Sequence, residues 1–225
     1  ILIGLVGSEM CIRDRDIARD AQKLATSDPY FSELILKIGL PRERYREPTL
    51  ATLIHIIVSQ QISLTAADSI WRKFNSEISD ITPSNIINLG EQGLRKIGFT
   101  RSKSTATLNL CQQMQDKTFD INAISSMDDD NAKKYIMRLR GFGEWSASIF
   151  LIFCLGRGDI WPSGDVALQE ATRSLKKLSY RPTPKQMDDI SLAWQPWRST
   201  AAHLLWHYYA AVVRNKKIKK LEGFQ

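Results

Sequence analysis

The chain is predicted to be all-α. Apolar residues recur at helical spacing along most of it, and no stretch keeps the strict alternation of a half-buried strand. Proline, glycine and short polar side chains stand where helices start and stop. No internal repeat or low-complexity tract interrupts the pattern.

The elements follow in order. Asp16 to Ser27 is one amphipathic run, ended by Asp28-Pro29. Phe31 to Ile38 is a second, stopped by Gly39 and Pro41. Thr49 is placed to cap a helix through Val58, and another follows through Trp71 and Phe74. Pro83 suits the first turn of a short helix ending near Gly90. Ser102 to Met114, Asp128 to Leu139 and Glu144 to Leu155 come next, then Asp165 to Leu178. Thr183 and Pro184 form an N-cap and first-turn pair for a helix reaching Ala193. Pro196 opens the last helix, through Val213.

One junction stands out, Leu139-Arg140-Gly141-Phe142-Gly143-Glu144-Trp145. Two glycines two apart separate two apolar helical runs. Such a turn directs backbone N–H groups outward at a helix N-terminus, a nest that binds phosphate without any side chain. An ordinary helix–helix turn is the plainer reading of the same residues. Downstream, Pro162-Ser163-Gly164-Asp165 presents one carboxylate just before the next helix. That carboxylate reads equally as a helix N-cap.

Composition is compatible with a nucleic-acid partner without requiring one. The chain has 31 Lys and Arg against 24 Asp and Glu, a net charge of +7. The tail Lys216-Lys217-Ile218-Lys219-Lys220 reads as a solvated end with a secondary reading as a phosphate contact. Cys11, Cys111 and Cys154 are scattered with no Cys-x-x-Cys, so neither a zinc knuckle nor an iron–sulfur loop is expected. Cys111 and Cys154 read as reduced core residues, which points to an intracellular location: cytoplasm and nucleoid, or nucleus. Residues 1–15 lack a clean period, and we exclude them from the fold as a leader of non-native character.

Together these segments resemble the helix-hairpin-helix DNA glycosylase superfamily, and within it the 3-methyladenine DNA glycosylase II group. The resemblance rests on Leu139-x-Gly141-x-Gly143-x-x-x-Ala147 followed by Asp165. It extends to Val58-Ser59-Gln60-Gln61-Ile62-Ser63, Gly98-Phe99-Thr100-Arg101-Ser102-Lys103, and Trp194-Gln195-Pro196-Trp197-Arg198-Ser199 with Leu205-Trp206. It implies two helical lobes with the active site in the cleft between them. Residues 48–165 would form the lobe with the hairpin, and 16–47 with 166–225 the other.

The resemblance also implies roles. Asp165 would be the catalytic carboxylate. Trp145, Trp206, Ile149 and His55 would bound the base pocket, with Ile149 standing where some relatives place a tyrosine; His55 also reads as an ordinary core histidine. Gln60, Gln61, Ser63, Arg101, Lys103, Gly141 and Gly143 would meet DNA. Gln61 is the candidate wedge for the vacated base stack, with a plain polar turn as the equal alternative. Trp145 occupies the position where relatives that also cut the backbone carry a lysine, so a monofunctional enzyme is implied; alone it reads as a core tryptophan. Trp194, Trp197 and Arg198 read as packing and buttressing residues. His203 and His207, one turn apart, lack a third ligand and read as structural.

The implied function is excision of alkylated purines, of 3-methyladenine and 7-methylguanine type, from double-stranded DNA by a monomer. No redox or organic cofactor and no iron–sulfur cluster is called for. The backbone carbonyls of Met137, Leu139 and Phe142 match positions that hold a sodium or potassium ion at the hairpin in this superfamily. Two other readings stay open on the residues: a non-catalytic helix-hairpin-helix module that only binds DNA, and a glycosylase for another lesion such as a deaminated base.

Overall fold

The computed structural model describes residues 17–42 and 44–214; the leader 1–15 and the basic tail lie outside them. Among the described residues every regular element is helical. The helices are α1 (Ile17–Ser27), α2 (Pro29–Ile38), α3 (Leu50–Ser59), α4 (Leu64–Glu77), α5 (Pro83–Ile97), α6 (Arg101–Gln115), α7 (Asp129–Met137), α8 (Glu144–Phe153), α9 (Val166–Leu175), α10 (Pro184–Ser191) and α11 (Arg198–Tyr208).

The chain divides into two compact units. One is continuous, Arg46–Leu155, and holds α3 to α8. The other is discontinuous, joining the segment before Arg46 to the segment after Leu155. The boundary differs from the sequence reading at both ends: Arg46 and Glu47 belong to the continuous unit, and residues 156–165, Asp165 included, to the discontinuous one.

Side-chain caps explain most helix starts. Thr49, Ser63, Thr82, Thr100 and Asp128 each accept the N–H three residues on. Thr183 and Gln186 complete a reciprocal capping box for α10. Gly90 ends the first helical segment of α5, as expected: at φ 66° and ψ −179° its backbone is not helical, and a second segment runs on to Ile97; glycine reaches this backbone region without strain. Two expectations need correction. The helix after Asp165 stops at Leu175, before Lys177 at φ 54°. Pro196 follows a cis peptide bond, and α11 begins at Arg198 instead.

The continuous unit is built on fully buried Leu53, Ile54, Ile57, Phe74, Leu94, Leu110 and Phe150. In the discontinuous unit, Phe31, Leu34, Trp161, Leu168, Met187 and Trp194 form the core. Trp194 meets Phe31 and Trp161 edge-on, with ring centroids 5.2 Å away in each case. Its indole N–H donates to Asp28 Oδ2 at 2.9 Å, and Lys176 Nζ donates to the same oxygen at 3.0 Å. Burial pushes the Asp28 carboxyl pKa up, but the Trp194, Lys176 and Tyr30 hydrogen bonds outweigh this and hold it below the usual value. A carboxylate that also caps α2 thus ties α2 to the C-terminal half of its unit.

Candidate active site and nucleic-acid interface

Asp165 is built by a fastened turn. Its N–H donates to Pro162 O at 2.9 Å, and Gln169 Nε2 donates to Ser163 O at 2.9 Å. The carboxylate is nearly buried at 9% exposure. Its Oδ1 accepts the Leu168 N–H at 2.9 Å and the Trp206 indole N–H at 3.2 Å. Asp165 is therefore a helix cap and is also held by a second helix. Both donors fix its rotamer. Trp206, expected as a pocket wall, is also the residue that orients the carboxylate. Its aromatic type signalled the first role; nothing in the sequence signalled the second.

The segment leading into this turn is anchored to α11. Arg198 Nε and Nη2 reach Asp159 Oδ1 and Oδ2, each at 2.8 Å, in a two-pronged ion pair. Ser199 Oγ accepts from Ile160 N–H at 2.9 Å and donates to Ile160 O at 3.1 Å. Arg198 is thus a buttress, as expected. His203 lies edge-on to Trp206, and the His207 ring bonds Ile38 O at 3.1 Å. Among the described residues no His, Cys, Asp and Glu cluster could hold a metal ion.

In the continuous unit, the hairpin joins α7 to α8. Gly141 has φ 82°, and a β-carbon there would lie 2.9 Å from Ala106 Cβ on α6. Gly143 has ordinary extended backbone, with nothing within 4 Å of a β-carbon. The two glycines differ in kind: the first is required by the turn and its packing, the second keeps the surface open. No side chain caps α8 at Gly143. Uncapped N–H groups and the helix dipole favour an anion at such an end. Leu139 O accepts Phe142 N–H at 3.0 Å and retains a second lone pair, so this turn is compatible with the carbonyl donor set expected for a monovalent cation.

Two residues expected to meet DNA turn inward instead. The Gln60 side-chain amide donates to Gly141 O and to Ser146 Oγ, both at 2.8 Å. Lys103 Nζ donates to Val58 O at 2.7 Å and to Gln60 O at 2.9 Å, capping α3. Burial lowers the Lys103 pKa. Ser63 is exposed and serves as the cap of α4, and Arg101 is exposed with an ion pair to Glu91 at 3.7 Å. Gln61 lies exposed between α3 and α4 at φ 55°. Trp145 and Ile149 are half-buried on α8.

His55 is engaged within its own unit. Arg46 Nη1 approaches its Nδ1 at 2.6 Å, which requires that nitrogen to be unprotonated. Trp71 packs edge-on at 4.9 Å. The ring lines a concavity of about 490 Å³ with Arg46, Glu47, Thr49, Ala51, Thr52 and Trp71; neither Trp145 nor Ile149 is in that lining. Burial, reinforced by the Arg46 charge and opposed by Asp68, lowers the imidazole pKa from 6.5 to about 4. The unfolded chain therefore takes up this proton first as pH falls. The stability contribution is full above 6.5, declines between 6.5 and 4, and is gone below. For a partly exposed ring we expect a loss on the order of 2 kcal/mol. Denaturant titrations across this window should show it, and His55→Gln should flatten the decline; an equal decline in the variant would assign it elsewhere.

Comparison with known proteins places this geometry. The model of the HhH-GPD superfamily base excision DNA repair protein matches residues 54–197. The alkylbase DNA glycosidase-like protein mag2 of Schizosaccharomyces pombe is 28% identical, over 86% of this chain and 94% of its own. The DNA-3-methyladenine glycosylase of Bacillus subtilis is 26% identical over 67% of this chain; the chain spans about half of that relative, 54%. The solved structure of S. pombe 3-methyladenine DNA glycosylase Mag1 with abasic DNA superposes at a TM-score of 0.77, with 25% identity, covering 84% of this chain and 95% of that one. The glycine hairpin between α7 and α8 and the turn presenting Asp165 both fall inside the matched span, and the chain belongs to the HhH-GPD superfamily of base excision DNA repair proteins.

Proposed function

We propose that this protein is a monofunctional DNA glycosylase that releases alkylated purines, of 3-methyladenine and 7-methylguanine type, from double-stranded DNA. The observation that carries the reading is Asp165, a nearly buried carboxylate oriented by Leu168 N–H and Trp206. Breaking an N-glycosidic bond builds positive charge on the sugar. A preorganised carboxylate stabilises that charge and can orient or deprotonate the attacking water. A purine alkylated at N3 or N7 is already cationic and leaves readily. The Trp206 indole, bonded to Asp165 within the same unit, favours such a base through stacking and cation–π attraction. Support for the substrate class comes from relatives and a structural neighbour named for 3-methyladenine.

In this reading the hairpin grips a phosphate and Gln61 enters the stack as the base leaves it. A sodium or potassium ion on the Met137, Leu139 and Phe142 carbonyls would add positive charge beside that phosphate.

Reaction type is tested by product analysis. On alkylated duplex the protein should release free base and leave the strand uncut until alkali or heat is applied. Borohydride should trap no covalent adduct, since Trp145 offers no amine. A trapped complex lost on mutating one lysine would make the protein a lyase as well. Duplex binding without any base release would favour the non-catalytic module.

A further inference from the structure

Two polar residues of the hairpin unit form a connection that the glycosylase chemistry leaves unused. Gln60 ends α3, and its amide bridges Gly141 O in the hairpin and Ser146 Oγ on α8. The Lys103 ammonium, from α6, closes on the α3 end through Val58 O and Gln60 O. Between them stands the peptide leading to Gln61, whose φ of 55° is held against the preference of a non-glycine residue.

We propose that Lys103 and Gln60 are positioning residues that lock the Gln61 tip to the phosphate-binding hairpin, so that gripping the backbone and entering the stack occur as one rigid-body event. This rests on the glycosylase reading above. Four carbonyl and hydroxyl acceptors from three segments converge on two side chains. The ammonium neutralises the negative end of the α3 dipole while fixing its last carbonyls. Removing either donor leaves acceptors unmatched and frees the tip to relax from its left-handed backbone. A tip that relaxes must be reordered each time a base is extruded, so the loss falls on extrusion and not on binding.

The test separates positioning from a phosphate contact. Single-turnover release of 7-methylguanine would be followed with enzyme in excess, alongside a 2-aminopurine beside the lesion as reporter of unstacking. Affinity for undamaged duplex would be measured over a range of salt. Lys103→Met and Gln60→Met should each slow release and unstacking about tenfold, with duplex affinity within about twofold and an unchanged salt slope. The double variant should be little worse than either single one, because both act on one tip. Lys103→Arg, which keeps charge and two donors, should recover most of the rate. A salt slope reduced by about one would mean that Lys103 contacts phosphate, and the proposal would fall. Normal release by both variants would overturn it too. If Lys103→Met does not fold, the partly exposed Gln60→Met carries the test alone. Silence of the wild-type protein would sink the glycosylase reading; a defect confined to the variants concerns the tip.

Discussion

Asp165→Asn should lower single-turnover base release by about a thousandfold, roughly 4 kcal/mol of transition-state stabilisation, while duplex affinity and stability stay near wild type. The substitution is chosen for what it keeps. Asparagine still offers an Oδ1 to the Leu168 N–H and to the Trp206 indole, and it caps helices about as well as aspartate. Only the charge is removed, and the charge matters only as the sugar turns cationic. Release within a few-fold of wild type would remove Asp165 from the chemistry and leave it as a cap.

Gly141→Val should destabilise the protein by roughly 3 kcal/mol, whereas Gly143→Val should lose no more than about 1 kcal/mol. At Gly141 a β-branched residue meets both the 82° φ and the Ala106 methyl at 2.9 Å. At Gly143 the backbone is extended and the space open. Gly143→Val is accordingly the clean probe of the nest: a folded variant whose duplex affinity drops about tenfold, near 1.4 kcal/mol, by blocking close phosphate approach. Denaturant midpoints and binding at fixed salt would check the pair. Equal stabilities would refute the distinction, and unchanged affinity in Gly143→Val would count against the hairpin as anchor.

The helical architecture was legible because its punctuation is local. The side chains of Thr49, Asp128 and Thr183 each accept an N–H three residues on, so spacing alone reveals them. Gly90 was readable for the same reason, since a glycine at positive φ interrupts a helix by itself; the segment that resumes after it to Ile97 was not, because its place is decided by the burial of Leu94 and Ile97. Asp165 was readable as a cap and as a catalytic candidate, and the structure shows the cap. Gln60 and Lys103 were not readable. A polar residue next to a DNA-binding motif looks alike whether it faces solvent or folds inward. What turns Gln60 inward is a carbonyl at Gly141, far along the chain. The unit boundary at Leu155 and Gly156 was missed likewise, because the anchors of the following segment, Arg198 and Ser199, come much later in the sequence.

The discontinuous unit has a consequence for biosynthesis. The carboxylate of Asp28 waits for Trp194, 166 residues further on, and for Lys176, 148 residues on. At roughly 5–20 residues per second on the ribosome, α1 and α2 pass about 10–30 s without the indole that completes their core. The continuous unit, synthesised in between, has its principal packing partners in hand earlier and is placed to fold while the first two helices are still held in reserve. Nascent-chain arrest once Leu155 has left the exit tunnel should therefore yield a protease-resistant α3–α8 body preceded by a cleavable N-terminal segment, and the segment should become protected only when Trp194 has left the exit tunnel as well.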